Sequence, residues 1–471
     1  MKRPNILIIY TDQQRWNALG ANGNGEIRTP NLDALAARGA NFSRHFVQNP
    51  VCMPSRLSML SGQYPSTLGI THMGVPVPED LMTLPRLLKQ YGYRTANIGK
   101  LHFLPHANRD HSMPHPSYGF DHLEIADEPG VYEDAYRAWV RRQAPDQMDG
   151  VSAGLPPNTR VWQRAMGIED GIVHRGEPEG RHDFKRAIPF AADERLTYSA
   201  FVSDRTIEFI ERSGAEPFLC IASFYSPHAP WIAPQKHLDM YDENGLSLPA
   251  YPPDIDRQRP ADPAALFSDD QLRSAKQGYY AMVSEVDHYV GRILEALEAA
   301  GLRDETIVVF TSDHGEWLGD HLRFGKGYPA PDVVSRVPLI IAGPGVKAGG
   351  RHDGIVESVD IVPTLLELAA IQSPSFLQGE SLAGLLSGGG SRQKASALTE
   401  AHGWKSLRTP QFQYLIHDDG RENLWDIQAD SGAYHDVAEH EAYRDELAEC
   451  RRLLLIRLLA MERPRERSWT Y

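Results

Sequence analysis

Two short segments, Asp12-Gln13 and Asp313-His314, each place a carboxylate directly after a hydrophobic run, NILIIYT over Asn5–Thr11 and TIVVFT over 306–311. Two carboxylates, an amide oxygen and an imidazole suit a divalent cation. The hard oxygens favour calcium, magnesium or manganese, and the imidazole draws the preference toward manganese or zinc. Either Asp taken singly is as well suited to capping the next turn; the repetition of strand-then-Asp favours a metal site. A third segment, Cys52-Met53-Pro54-Ser55-Arg56, sets a thiol just before a short helix expected over 54–61, with proline near its start and Gly62 past its end. Free N–H groups and the dipole at such a helix start favour anions. Arg56, one turn in, offers a two-pronged donor to an oxyanion, and the thiol is expected to be somewhat acidified. On these terms alone an inert small cysteine in a loop before a helix is the favoured explanation of residue 52.

Further candidates stand in loops. Lys100 and His102 follow a strand expected over 95–98, His228 lies in SPHAP, and Lys326 in FGKGY. A single Lys or His in a loop is usually solvated surface, so a role for these four rests on the resemblance described next. His72, His106, His111 and His115 are read as loop residues, candidates at most to face substrate, and Trp231, Tyr225 and Trp317 as packing. Gly343-Pro344-Gly345 is a turn, without the lysine and spacing of a phosphate loop.

The run CMPSRLSMLSGQYP, with its Cys-x-Pro-Ser-Arg core, resembles the modification motif of the sulfatase family, and other positions of that family recur in order. Gly99-Lys100-Leu101-His102 is similar to its Gly-Lys-x-His segment, and His228 to its Pro-His-x-Pro histidine. Asp313-His314-Gly315-Glu316 is similar to its second metal segment, Lys326 to its last active-site lysine, and ENLWDIQAD to its late Leu-Tyr-Asp stretch. The resemblance spans nearly the whole chain, with residues 106–189 matched least. It implies that a separate maturation enzyme oxidises Cys52 to 3-oxoalanine (Cα-formylglycine), and that one divalent ion, calcium or manganese, is held by Asp12, Gln13, Cys52, Asp313 and His314. It further implies that Arg56, Lys100 and Lys326 stabilise charge on a sulfuryl group, that His228 protonates the leaving oxygen, and that His102 is the base that releases sulfate. The substrate would be a small sulfate ester, with side activity on phosphate or phosphonate esters. Many sulfatases carry Asp-Asp and Asp-Asn where this chain has Asp12-Gln13 and Asp313-His314. The pairs here are more similar to phosphonate monoester hydrolases, which makes a phosphonate monoester or phosphodiester hydrolase the nearest rival. A phosphatase or phosphomutase of the wider alkaline phosphatase superfamily would use Ser or Thr in place of Cys52. A non-catalytic binding protein on this fold would have lost site residues, whereas all of these are present.

The elements that must position these residues alternate. Beyond the strands already named, helices are expected over 30–38, 84–91, 193–213, 269–300 and 361–369, and strands over 218–222, 337–342 and 355–359. That order describes an α/β fold, a large, mostly parallel sheet sandwiched by helices. Residues 106–189, rich in His, Pro, Gly and charge, are read as an insertion over the active face. Short β-like runs over 395–400, 404–408, 411–417 and 423–426 and a helix over 438–461 form a smaller α+β unit. The expected division is a catalytic domain over 1–375 and a C-terminal domain over 376–471, with LLSGGGS at 385–391 the clearest linker.

A chain of 471 residues exceeds what one core usually holds, which agrees with two units. Its net charge of -14 argues against a nucleic-acid binder, which would show a basic face. The three cysteines are far apart and form neither a disulfide framework nor a zinc cluster. The apolar run near the start is too short for a signal-peptide core and no other stretch is long enough to cross a bilayer, so a cytoplasmic enzyme away from membranes is expected. The tail RPRERSWTY ends in two aromatics and is a candidate contact between copies in a homo-oligomer.

Overall fold

The computed structural model describes residues 3–104, 113–151, 185–258, 266–389 and 394–462. At its centre is a nine-stranded sheet. Its path runs Gly350–Glu357, Ala40–Phe46, Leu339–Ala342, Thr306–Ser312, Asn5–Thr11, Phe218–Ser223, Arg94–Gly99 and His122–Ile125, with Arg336–Val337 pairing off Ala40–Phe46. The five strands from Thr306–Ser312 to His122–Ile125 are mutually parallel, and Leu339–Ala342 runs antiparallel to both of its neighbours.

The strand period of two feeds both faces of this sheet. Ile6, Ile8, Leu219, Ile221, Ile307 and Val309 enter one core with the helices Cys52–Ser61, Leu84–Lys89 and Ile361–Leu368. Leu7, Ile9, Cys220, Ala222, Val308 and Phe310 enter the other, against Pro30–Arg38, Ala135–Gln143, Tyr198–Glu211 and the long helix Asp269–Ala299. Both faces are therefore covered, which is why these strands read as continuous apolar runs.

The structure departs from the sequence reading in instructive places. The helix expected over 54–61 begins at Cys52, so the thiol sits inside its first turn. The strand Ala40–Phe46 was not anticipated, because Asn41, Ser43 and His45 are buried among its apolar residues and blur the alternation. The helix expected from 193 begins at Tyr198, where the Thr197 side chain accepts from the Ala200 N–H and caps it. Within the expected insertion 106–189, His122–Ile125 is an edge strand of the main sheet and Ala135–Gln143 packs on its face; residues 152–184 lie outside the described residues.

Four antiparallel strands, Ala397–Ala401, Trp404–Arg408, Phe412–His417 and Glu422–Asp426, form a second sheet on which Arg444–Met461 packs. Leu377, Leu382 and Leu386, by contrast, lie in the core of the larger body. The second unit is closely joined to the first. Glu400 N–H donates to Gln48 O at 2.8 Å, and Asn49 Nδ2 to Glu400 O at 2.7 Å. Arg457, on the last helix, pairs with the buried Glu357, which also takes Lys394 at 2.7 Å. Part of the expected linker and all of the tail 463–471 lie outside the described residues. Among the described residues no helix is long and apolar enough to cross a membrane.

Candidate active site

Parallel pairing puts the strand ends at one level. Thr11 lies opposite Ser312, Tyr10 opposite Ser223, and Gly99 opposite Ser223. The residues that follow, Asp12, Asp313 and Lys100, therefore emerge side by side at the carboxyl edge, where ligands bind in open α/β sheets. Gly99 makes this possible for Lys100: its φ is 97°, and a Cβ there would lie 2.0 Å from Ser223 O.

Cys52 meets this edge from the start of its helix. Its Sγ lies 3.2 Å from His314 Nε2, 3.7 Å from Asp12 Oδ1 and 2.8 Å from Lys326 Nζ. Lys326 Nζ also lies 3.0 Å from His228 Nε2. Asp12, Cys52, Asp313 and His314 are all buried, and their ligand atoms lie within 4.8 Å of one another. Residues separated by up to about three hundred positions thus form one cluster.

Two histidines have their tautomers set by carbonyls. His314 Nδ1 donates to Gly315 O at 2.8 Å and His228 Nδ1 to Ala229 O at 2.6 Å. In each neutral ring the Nε2 lone pair faces the cluster. Burial pushes His314 down to about 4, so its ring is neutral at ordinary pH. Burial, joined by the Lys326 ammonium, also pushes His228 well below the usual imidazole range.

Cations surround the carboxylates. Lys100 Nζ is 2.7 Å from Asp12 Oδ2 and 4.9 Å above the Tyr225 ring. Burial opposes ionisation of Asp12, yet Lys100, Lys326 and Arg56 together hold its carboxyl well below the usual range. Arg56 spends its donors inward: Nε to Asp313 Oδ2 at 2.7 Å, Nη1 to Lys100 O at 3.0 Å and to Ser223 Oγ at 2.9 Å. Nη2 lies 3.5 Å from Asp12 Oδ2. A guanidinium so enclosed positions two carboxylates and the Lys100 turn, rather than holding out two parallel donors to an oxyanion.

The thiol expectation is corrected. Burial first, and the Asp12 carboxylate second, push Cys52 up to about 11, outweighing Lys326 and Lys100. The helix start does favour anions, but a group that has left water entirely loses more than a dipole returns.

The donors fit a divalent cation. Asp12 and Asp313 are both fully buried and lie side by side with Cys52 and His314. Gln13 has φ 71°, donates its N–H to Asp313 Oδ1 at 3.0 Å, and leaves its Oε1 buried with no hydrogen-bond partner. Three oxygen donors and the His314 lone pair form a set for a calcium- or manganese-class ion.

His102 reaches the same edge by its backbone. Its φ is 59°, its N–H donates to Asp127 Oδ1 at 2.8 Å, and its side chain is buried. His72 packs near His402, and His115 stands edge-on to Tyr118, while His106 and His111 lie outside the described residues. Trp231 and Trp317 are fully buried packing. Reading the sequence for chemistry did not single out Tyr10, whose ring lies 4.8 Å under the Arg56 guanidinium, or Glu316 as a partner of Gln13. The strand alternation alone carried a signal for Tyr10, which sits on the same face as Ile6 and Ile8.

Known proteins resemble the chain along its length. Residues 4–371 match the family described as Sulfatase, and residues 319–455 that described as N-sulphoglucosamine sulphohydrolase, C-terminal. An arylsulfatase of Clostridium perfringens is 29% identical over 488 aligned residues, 98% of this chain and 95% of that protein. An ulvan-active sulfatase of Formosa agariphila is 30% identical over 445, covering 91% and 76%. The phosphonate monoester hydrolase of Agrobacterium radiobacter, a solved structure, shares the fold with a TM-score of 0.80 at 24% identity, over 98% of this chain and 96% of that one.

Proposed function

Because the chain belongs to the sulfatase family, we propose that it hydrolyses small sulfate esters, with residue 52 as nucleophile after oxidation from cysteine to formylglycine and one divalent cation held by Asp12, Gln13, Asp313 and His314. The observation that carries this reading is the meeting of both metal segments at Cys52, with the Lys326 ammonium 2.8 Å from its sulfur.

A divalent cation held by Asp12, Gln13, Asp313 and His314 would supply Lewis acidity for attack on sulfur and positive charge for the sulfuryl oxygens. A hydrated aldehyde at residue 52 supplies two hydroxyls on one carbon, one for attack on sulfur and one for the later expulsion of sulfate. The protein's own residues do the remainder. Lys326 and Lys100 flank residue 52 and Asp12 and place two positive charges where the equatorial oxygens gain charge. Arg56 holds the Asp12 and Asp313 carboxylates in register through Asp313 Oδ2 and the Lys100 carbonyl. His228 turns its Nε2 lone pair to the Lys326 ammonium, takes up a proton there once the anionic ester is bound, and passes it to the leaving oxygen. His102 is assigned the base that accepts the proton as sulfate departs. Trypsin-type covalent catalysis through an ester would need outside water for the second step; a geminal diol does not.

The arylsulfatase relative supports aryl sulfates as a substrate class. A phosphonate monoester hydrolase is the second reading, favoured by the Asp12-Gln13 and Asp313-His314 pairs and by the shared fold. One panel separates them: kcat/KM for 4-nitrophenyl sulfate against a phenyl phosphonate monoester, on protein matured with a formylglycine-generating enzyme. The sulfate is expected to be preferred; a preference for the phosphonate replaces this reading with the second. The peptide containing residue 52 should weigh about 18 Da less than its cysteine form, and full activity from unmodified protein would end the formylglycine assignment.

A further inference from the structure

Gln13 can present a cation with an oxygen or with an NH2 group, and a half-turn of its amide exchanges the two with little change in shape. Something outside the residue must choose. Gln13 Nε2 donates to Glu316 Oε2 in a short contact, while Gln13 Oε1 is buried without a partner. Glu316 is itself fully buried. Its other oxygen accepts the Leu318 N–H at 3.0 Å and the Gly325 N–H at 2.5 Å. Each of these three neighbours donates, so the position calls for an acceptor on both oxygens. Gly325 immediately precedes Lys326, whose ammonium contacts Cys52.

We propose that Glu316 is a positioning residue that turns the Gln13 amide oxygen toward the cation and ties that ligand to the turn carrying Lys326. It rests on the metal reading given above, yet assigns Glu316 neither to the ion nor to the substrate. The consequence of Glu316→Gln follows from donor and acceptor counting. The new side chain keeps one oxygen, which the Leu318 and Gly325 N–H groups hold, and it turns an NH2 toward Gln13. Two NH2 groups then oppose each other. The Gln13 amide turns over to accept that hydrogen bond, and its own NH2, which cannot ligate, faces the cation. In the exchanged pair Gln13→Glu/Glu316→Gln, the amide at 316 donates to the carboxylate at 13. The second carboxylate oxygen is then free for the cation, and every hydrogen bond is restored.

The experiment is isothermal titration of the metal-stripped full chain with MnCl2, and separately with CaCl2, at fixed pH. Glu316→Gln is expected to weaken binding by about 10- to 100-fold, the usual cost of removing a group that orients a metal ligand. The exchanged pair should bind as tightly as wild type or tighter. Unchanged affinity in Glu316→Gln, or an exchanged pair as weak as the single variant, overturns the proposal. Should the single variant not fold, the exchanged pair decides alone: Mn2+ affinity at least equal to wild type supports the proposal, and binding weaker by about 10-fold or more overturns it. Asp313→Ala separates this from the metal reading itself, because retention of wild-type Mn2+ affinity there removes the cation site whatever Glu316 does.

Discussion

At the Lys326 ammonium two neighbours stand almost equally close, Cys52 Sγ at 2.8 Å and His228 Nε2 at 3.0 Å. On the proposed reading, that arrangement lets a lysine and a histidine share one proton beside the leaving oxygen. With its Nδ1–H spent on Ala229 O, His228 has only Nε2 to exchange a proton, and Nε2 faces Lys326. Burial and the ammonium keep the free ring neutral, so its role as donor requires the extra negative charge an anionic ester brings. His228→Ala should therefore lower kcat by about 10²- to 10⁴-fold with an alkyl sulfate, whose alkoxide is a poor leaving group. The loss should be far smaller with 4-nitrophenyl sulfate. An equal loss on both substrates, read from steady-state rates, would mean that His228 does not protonate the leaving oxygen. These residue types were legible beforehand because the chemistry of a thiol, an ammonium or an imidazole is local. The acidity of Cys52 was not, since it depends on the water that folding removes.

The edge strand His122–Ile125 shows what holds an element that the sequence left inside an insertion. Its Glu124 takes Arg205, from the helix Tyr198–Glu211, at 2.7 Å and His122 at 2.8 Å. Burial opposes the Glu124 carboxylate, but the hydrogen bonds from His122 and Arg205 prevail and bring it down to about 2. A carboxyl depressed in the folded state stabilises it above the unfolded value near 4.5, and that contribution is lost as pH falls from there toward 2. Wild type should accordingly be more stable than Glu124→Gln at pH 6, with the gap in Tm narrowing as pH approaches 3. A gap that is constant over that range would show that the Glu124 charge plays no part. A four-residue run that is half polar carries little strand signal, and the sheet pairing with Arg94–Gly99 supplies what propensity does not. The buried Asn41, Ser43 and His45 hid Ala40–Phe46 in the same way, each hydrogen-bonded through its side chain to a partner outside the strand.

Across the whole molecule, the cost of enclosing Asp12 and Asp313 together is borne by the fold that surrounds them. A cation that binds only the folded chain offsets that cost, so ligation and stability are linked. Free Mn2+ at a hundredfold excess over its Kd should stabilise the chelator-stripped protein by about 2.7 kcal/mol, seen as a higher Tm. Asp313→Asn should show a much smaller response. An identical melting curve with and without the ion would remove the cation from this site. The second sheet participates in the same unit, because its Glu400 is hydrogen-bonded to Gln48 and Asn49, just ahead of Cys52.

The sequence by itself determined the inventory: the carboxylates at the ends of buried strands, the cysteine at a helix start, the lysines and histidines in their order, and the alternation that makes an α/β sheet. Tertiary structure alone decided that Thr11 and Ser312 end at one level, that Arg56 points inward, that Cys52 is harder to ionise, and that Glu316 faces the Gln13 amide. The physical reason is one of range. Residue type and hydrophobic period act over a few neighbours, whereas register, burial and hydrogen-bond partnership are set by segments up to about three hundred residues apart.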